Sequence, residues 1–171
     1  MKLGILTISD SVPIGKRTDL SGPKIQELIG HYFKENLYQV CTDDPAEISL
    51  SATELLAKVD ILITNGGTGI MPRDNTVEAL KSLKGIHVVP LERAISAAMV
   101  LTCGPLSAIA TPVVLVKEGK YVVALPGRTD EVTAAIKDVI KPFLLHHLVV
   151  DKIETKYLAR EFILHEGLRN K

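Results

Sequence analysis

Asp60-Ile61-Leu62-Ile63-Thr64-Asn65-Gly66-Gly67-Thr68-Gly69-Ile70-Met71-Pro72-Arg73-Asp74-Asn75-Thr76-Val77-Glu78-Ala79 is the stretch that decides the fold. Ile61, Leu62 and Ile63 form a short apolar run bounded by turn residues, the pattern of a strand buried in a parallel sheet. The strand ends at Thr64 and Asn65. Gly66, Gly67 and Gly69 follow, where the backbone can take positive φ and approach a ligand without a Cβ in the way. Thr76 then opens a helical segment, with Thr76 and Glu78 in its first turn and Ala79, Leu80 and Leu83 at apolar spacing.

A strand, a glycine turn and a helix start make an anion site, because unpaired N–H groups at the helix end point at whatever lies over the loop. Asp74 fits that site only with a cation. A carboxylate beside phosphate is repulsive, whereas the same carboxylate on a Mg²⁺ that also binds phosphate oxygens is favourable. Arg73 offers a planar fork of donors suited to phosphate. The local reading is a phosphate-ester or nucleotide site with a divalent metal. A Gly-Gly turn after a strand is by itself mostly turn geometry, but the full string G-G-T-G-x-x-P-R-D-x-T-x-E-A is specific. It is neither a Walker loop nor a G-x-G-x-x-G fingerprint.

Outward from this stretch, strands and helices alternate. Leu3 to Ile8 reads as the first strand, closed by Ser9-Asp10-Ser11, and a loop rich in Gly, Pro and charge runs from Val12 to Leu20. Ser21 is placed as an N-cap, with Pro23 in the first turn and Ile25, Leu28, Ile29, Tyr32 and Phe33 at helical spacing. Tyr38 to Thr42 is a second strand that delivers Asp43-Asp44 to its carboxyl end, where Asp44 is the expected cap of a helix from Ala46 to Val59. The pattern βαβαβ with right-handed crossovers puts helices on both faces of a parallel sheet.

Past a helix over Thr76 to Leu83, Gly85 is the expected stop, Ile86 to Val89 an extended segment and Glu92 to Leu101 a helix. Thr111 to Lys117 and Tyr121 to Leu125 flank Glu118-Gly119-Lys120 and predict a hairpin, so one strand runs against the sheet. Thr129 is the expected cap of the closing helix, which Pro142 bends or restarts before Phe143 to Val150. The fold expected is a three-layer α/β/α arrangement with a mostly parallel sheet carrying an antiparallel hairpin strand. Residues 1–150 are expected to form a single domain. Residues 151–171, with Tyr157, Phe162, Ile163 and Leu168, read as a tail that is either a docked helix or a partner-facing end.

The chain has 171 residues, 46% of them hydrophobic, and 20 Lys+Arg balance 20 Asp+Glu. Such a balance provides no long-range field toward nucleic acid or an anionic membrane. Met1-Lys2-Leu3-Gly4-Ile5 enters a strand directly, without a hydrophobic leader, and no apolar run approaches bilayer length, so a cytoplasmic location is expected. Cys41 and Cys103 both read as buried small hydrophobes, and His31, His87, His146, His147 and His165 as structural or solvated.

Ser9-Asp10, Asp43-Asp44, the glycine loop with Asp74, and Pro126-Gly127 each follow a strand, so topology brings them to one sheet edge, where open α/β sheets bind ligands. Asp10 and Asp19 read either as turn-closing residues or as ligand contacts, Pro126-Gly127 as turn geometry or a binding contact, and Arg128 as a surface charge near the site.

Gly66-Gly67-Thr68-Gly69, Pro72-Arg73-Asp74, Thr76, Glu78 and Ala79 closely resemble the signature of the molybdopterin-binding fold of molybdenum-cofactor biosynthesis, in particular the molybdopterin adenylyltransferases of the Mog and MoaB type. Ile8-Ser9-Asp10, Asp19-Leu20-Ser21-Gly22-Pro23, Asp43 with Ile48, and Leu125-Pro126-Gly127 extend the resemblance over roughly residues 3 to 145. It implies adenylyl transfer, in which the terminal phosphate of molybdopterin attacks the α-phosphate of ATP and releases pyrophosphate. Charge neutralisation and in-line positioning would carry the reaction. Asp43 and Asp74 are the expected catalytic residues and Mg²⁺ ligands. Ser9, Asp10, Ser21, Gly66, Gly67, Thr68, Gly69, Arg73, Pro126 and Gly127 are the expected binding residues for ATP and molybdopterin. The resemblance also implies a homo-oligomer, a trimer, and a molybdenum-insertion enzyme is a candidate partner. Ala110 and Thr111 depart from it, standing where the family carries a Ser-Arg pair. Two alternatives are a MoaB-like protein that binds molybdopterin without turnover and a nucleotide hydrolase of the related competence-damage-inducible family, whose acidic pair replaces Arg73-Asp74.

Overall fold

The structure is a computed structural model and describes residues 1–150. The expected tail, residues 151–171, lies outside the described residues. Strands β1 (Lys2–Ile8), β2 (Glu35–Cys41), β3 (Ile61–Asn65), β4 (Ile86–His87), β5 (Val113–Lys117) and β6 (Lys120–Leu125) form one sheet in the order β2-β1-β3-β6-β5-β4. β1, β2, β3 and β6 are parallel, while β5 runs antiparallel to both β6 and β4. The expected hairpin is β5–β6. Glu118 and Gly119 join its strands with φ of 52° and 77°, the two positive values that a two-residue turn matched to strand twist requires.

Both faces of the sheet are covered, and the alternation of side chains along each strand decides which core each residue joins. On one face Leu3, Ile5, Ile61, Ile63, Val123 and Leu125 pack against helices α1 (Ser21–Ile29), α4 (Val89–Cys103), α5 (Thr129–Ala135) and α6 (Lys141–Val150). On the other, Leu6, Ile8, Leu62, Val122 and Ala124 pack against α2 (Pro45–Lys58) and α3 (Thr76–Leu80). This is the three-layer α/β/α fold. The chain goes outward from β1 to β2 and returns to place β3 on the other side of β1. That reversal opens a crevice beyond the carboxyl ends of β1 and β3.

Local chemistry corrects several expectations. Ser21 does not cap α1: it is the first helical residue, and Asp19 fulfils the role by accepting from the N–H groups of Ser21 and Gly22 at 2.9 and 3.1 Å. Thr129 is likewise the first residue of α5, after Arg128. Lys84, rather than Gly85, takes the left-handed conformation that ends the 3₁₀ turn after α3. Only Ile86 and His87 of the expected Ile86 to Val89 segment pair as a strand, because α4 begins at Val89. Cys41 is buried, but Cys103 is only half-buried. Asp44 caps α2 as expected, accepting from Ala46 and Glu47 N–H at 2.9 Å. Pro142 restarts the closing helix. Ile136–Ile140 forms a π turn before α6, which accommodates a residue that cannot donate to the preceding turn. Among the described residues no helix is long and apolar enough to cross a membrane.

Candidate active site

The glycine loop is fixed by its own backbone. Gly66 donates to the Leu125 carbonyl at 3.0 Å, Thr76 N–H donates to Gly67 O at 3.0 Å, and the Thr76 hydroxyl donates to Gly66 O at 2.8 Å. Gly66 has φ of +105°, and a Cβ there would lie 2.2 Å from the Ile8 carbonyl oxygen. Glycine is therefore needed twice over, for conformation and for the close approach of β1 to the loop. Beyond it the loop closes on Asp74. Met71 N–H donates to Asp74 Oδ2 and Asp74 N–H to Met71 O, both at 2.8 Å.

The acidic turn is built by exchange between two strand ends. Asp10 N–H donates to Asp43 Oδ2 and Asp43 N–H to Asp10 Oδ1, each at 2.9 Å, which locks the end of β1 to the end of β2. Asn75 then ties this turn to the glycine loop by donating to Asp43 O at 3.0 Å. Burial pushes the Asp43 carboxyl above the usual carboxylate range, aided by the negative charges of Asp10 and Asp74 and opposed by the Asp10 N–H and by Arg73.

The last two segments are stitched together by Ser21. Its hydroxyl donates to Gly127 O at 2.9 Å and lies 3.1 Å from the Thr129 hydroxyl, so the start of α1 and the turn after β6 move as one piece. Behind them Asp19 is the hub of a polar network. Its Oδ2 accepts from the hydroxyls of Thr7 and Tyr38, both at 2.7 Å, and Asn65 Nδ2 donates to the Thr7 hydroxyl at 3.0 Å. The Tyr38 ring is nearly half exposed, but its hydroxyl end is turned into this network. Burial there, with the bond to Asp19, pushes its pKa to about 12.

These segments enclose an open cleft of about 330 Å³ lined by Ser9, Asp10, Asp43, Gly66, Gly67, Arg73, Asp74 and Gly127 among others. A smaller compartment of about 60 Å³ adjoins it and contains Asp19 and Ser21. Of the residues singled out in the sequence, Thr68, Gly69 and Pro126 line neither space. Thr68 is buried behind the loop, where its carbonyl accepts from Thr111 N–H at 2.8 Å. Gly69 packs on Asp74, 2.4 Å from where a Cβ would stand. Arg17 and Arg128 also line the main cleft, and Arg17 lines both spaces. Sequence reasoning passed over Arg17. The available signal was a cation in the loop that follows β1 at the ligand-binding edge. Arg128 is the expected surface charge near the site: its side chain is exposed at the rim of the cleft, where its Nε donates to Asp130 at 3.1 Å.

The cleft thus sets backbone amides and arginines beside carboxylates, an arrangement suited to a phosphate chain held with a divalent cation. Comparison with known proteins agrees on the fold. Residues 4–146 match a family model described as "Probable molybdopterin binding domain". A molybdenum cofactor biosynthesis protein B from Halalkalibacterium halodurans is 35% identical over 156 residues, covering 83% of this chain and 85% of that protein. A molybdopterin adenylyltransferase from Pyrococcus furiosus is 37% identical over 83 residues, which is 48% of this chain and only 49% of that protein. The molybdopterin biosynthesis enzyme MoaB from Thermus thermophilus superimposes with a TM-score of 0.76 at 30% identity, covering 87% of this chain and 94% of that one.

Proposed function

The chain belongs to the molybdopterin-binding domain family of molybdenum-cofactor biosynthesis, of the MoaB and Mog type, and from that premise we propose that it is a Mg²⁺-dependent molybdopterin adenylyltransferase. The observation that carries the proposal is the meeting of the strand-end turns in one cleft, where Gly66, Gly67 and Arg73 face Asp43 and Asp74. In the proposed reaction the terminal phosphate of molybdopterin attacks the α-phosphorus of ATP. The Gly67 amide and Arg73 hold phosphate oxygens in line, and Asp43 and Asp74 hold Mg²⁺. The ion, when bound, neutralises charge on the reacting phosphates.

The donor set fits such an ion. Burial, and to a lesser extent the charges of Asp10 and Asp74, hold the Asp43 carboxyl above its usual pKa, a situation that a bound cation relieves. Mg²⁺ is commonly held by one or two carboxylates with substrate phosphates and water completing its shell, which suits the pair Asp43 and Asp74. The proposal includes a homotrimer, supported by the exposed apolar side chains of Leu101, Leu106 and Ile109 on α4 and the turn after it.

The test is the rate of pyrophosphate release from Mg·ATP with and without molybdopterin, in the wild type, Asp43→Ala and Asp74→Ala. Molybdopterin-dependent release that falls at least about a hundredfold in both variants, while pterin binding survives, is expected. A second reading, binding without turnover, draws on Ala110 and Thr111: Ala110 packs against the core and Thr111 bonds the back of the glycine loop, so neither adds a cation to the cleft. Molybdopterin binding by the wild type with no pyrophosphate release would establish that reading instead.

A further inference from the structure

We infer that Arg17 is the residue that holds the terminal phosphates of the nucleotide and, after transfer, the departing pyrophosphate. The inference rests on the adenylyl-transfer reading and adds to it a site for the leaving group. In that reaction an oxygen of the molybdopterin phosphate bonds to the α-phosphorus of ATP. The bond from that phosphorus to the oxygen bridging the α- and β-phosphates breaks. The bridging oxygen keeps the electron pair, and pyrophosphate leaves.

Three observations place the leaving group at Arg17. Among the described residues it is the one cationic residue that lines both the main cleft and the adjoining compartment, so it stands at the passage between them. Its guanidinium has no hydrogen-bond or ion-pair partner among the described residues, the carboxylate of Asp19 in the same compartment included. Asp19 is already saturated: Oδ1 accepts from Ser21 and Gly22, and Oδ2 from Thr7 and Tyr38. Of the other cations of the cleft, Arg128 is forked onto Asp130, and Arg73 is close enough to Asp43 to counter the rise in its pKa, on the side of the cleft that carries the acidic turn.

The loop that carries Arg17 is fixed at both ends. The Ser11 carbonyl accepts from the N–H groups of Lys16 and Arg17 at 3.0 and 3.2 Å, and Asp19 anchors the chain to the start of α1. A guanidinium without a partner, on a loop whose backbone is held, offers two parallel donors to phosphate oxygens. The middle of the cleft, by contrast, presents Asp10, Asp43 and Asp74. There a phosphate is stable only across a cation, so the most highly charged end of the nucleotide is best held away from it, on the Arg17 wall.

The experiment is calorimetric titration of inorganic pyrophosphate, and separately of AMP, into the full chain with Mg²⁺ present, for the wild type, Arg17→Ala, Arg17→Lys and Arg128→Ala. Arg17→Ala is expected to weaken pyrophosphate about tenfold and leave AMP within about twofold. Arg17→Lys should recover part of the loss, since it restores charge without the fork. Arg128→Ala should change pyrophosphate affinity less than Arg17→Ala does. The inference is overturned if wild-type protein binds no pyrophosphate, if Arg17→Ala binds it as tightly as wild type, or if AMP weakens as much as pyrophosphate. The two readings separate cleanly. A pyrophosphate site lost in Arg17→Ala, in a wild-type protein that releases no pyrophosphate from Mg·ATP and molybdopterin, keeps the site and removes adenylyl transfer. Unchanged pyrophosphate affinity in an Arg17→Ala protein that still turns over does the reverse.

Discussion

The loop after β3 and the turn between β5 and β6 use the same backbone device for different ends. Gly66 and Gly67 have φ of +105° and +63°, and Glu118 and Gly119 have 52° and 77°. Around Gly119 there is open space, whereas a Cβ on Gly66 would meet the Ile8 carbonyl oxygen at 2.2 Å. In the hairpin, positive φ serves only to match the twist of two strands. In the glycine loop it brings the chain against β1 while setting Gly66 and Gly67 on the wall of a cleft. A local rule of turn chemistry is therefore the whole account of one region and only part of the account of the other.

Alanine at each glycine tests this difference most severely. Gly66→Ala combines a left-handed alanine with a backbone collision that no rotamer relieves, and should cost about 3 kcal/mol or more. It should also abolish nucleotide and pterin binding. Gly119→Ala has only the conformational cost, about 1 kcal/mol, with ligand binding untouched. Urea unfolding with parallel binding measurements checks both. Equal costs would mean that the close approach to β1 contributes nothing.

Asp19→Asn extends the comparison to the second wall of the cleft. The carboxylate accepts from two hydroxyls and from the first amides of α1, while an amide has one acceptor oxygen and presents donors to donors. A loss of about 2 kcal/mol is expected from a hydrogen-bonded charge that also caps a helix. Because Asp19 anchors the Arg17 loop, pyrophosphate affinity should fall as well. A destabilised variant that binds pyrophosphate as tightly as wild type would show that the anchor is structural alone.

The part of this site visible in the sequence was the part written locally. The apolar run at Ile61–Ile63, the glycines after it, the Asp44 cap and the Glu118-Gly119 turn each depend on neighbours a few residues away, and each appears where expected. What stayed hidden depends on contacts that are distant in sequence. Ser21 has the profile of a helix cap, yet its hydroxyl serves Gly127, 106 positions away. Asp43 meets Asp10 only because β1 and β2 are neighbours, and Arg17 became notable only once two spaces opened on either side of it. Side-chain type predicts that a group will find a partner but does not say which one.

Tyr38→Phe tests the outer end of the Asp19 network with a smaller effect. The hydroxyl donates to Asp19 at 2.7 Å, and removing it should cost about 1 kcal/mol at pH 8. The folded-state pKa lies above the ordinary value of 10.0, at about 12. Its contribution is therefore fully present below pH 10 and is lost as pH rises through about 12. Stability curves of wild type and variant should converge over that window. A constant gap across it would show that the difference comes from ring packing rather than from the bond to Asp19.

Asp43→Asn is the smallest effect and the one that ties the acidic turn to the proposed metal. The folded-state pKa of Asp43 is raised, so its ionised form is less favourable in the fold than in the unfolded chain. That penalty is present above the folded pKa and disappears as pH falls below the ordinary value of 3.8. Asn keeps an oxygen to accept from Asp10 N–H, so the geometry of the turn survives the change. Without metal at pH 7, the variant should melt higher than wild type, with the difference closing toward acid pH. Adding Mg²⁺ should stabilise the wild type and leave the variant unchanged, because the ion offsets the cost of a buried charge that the variant no longer carries. Equal stabilisation of both by Mg²⁺ would move the ion away from Asp43. The raised pKa would then reflect the burial of Asp43 between two strand ends, and not a site prepared for a cation.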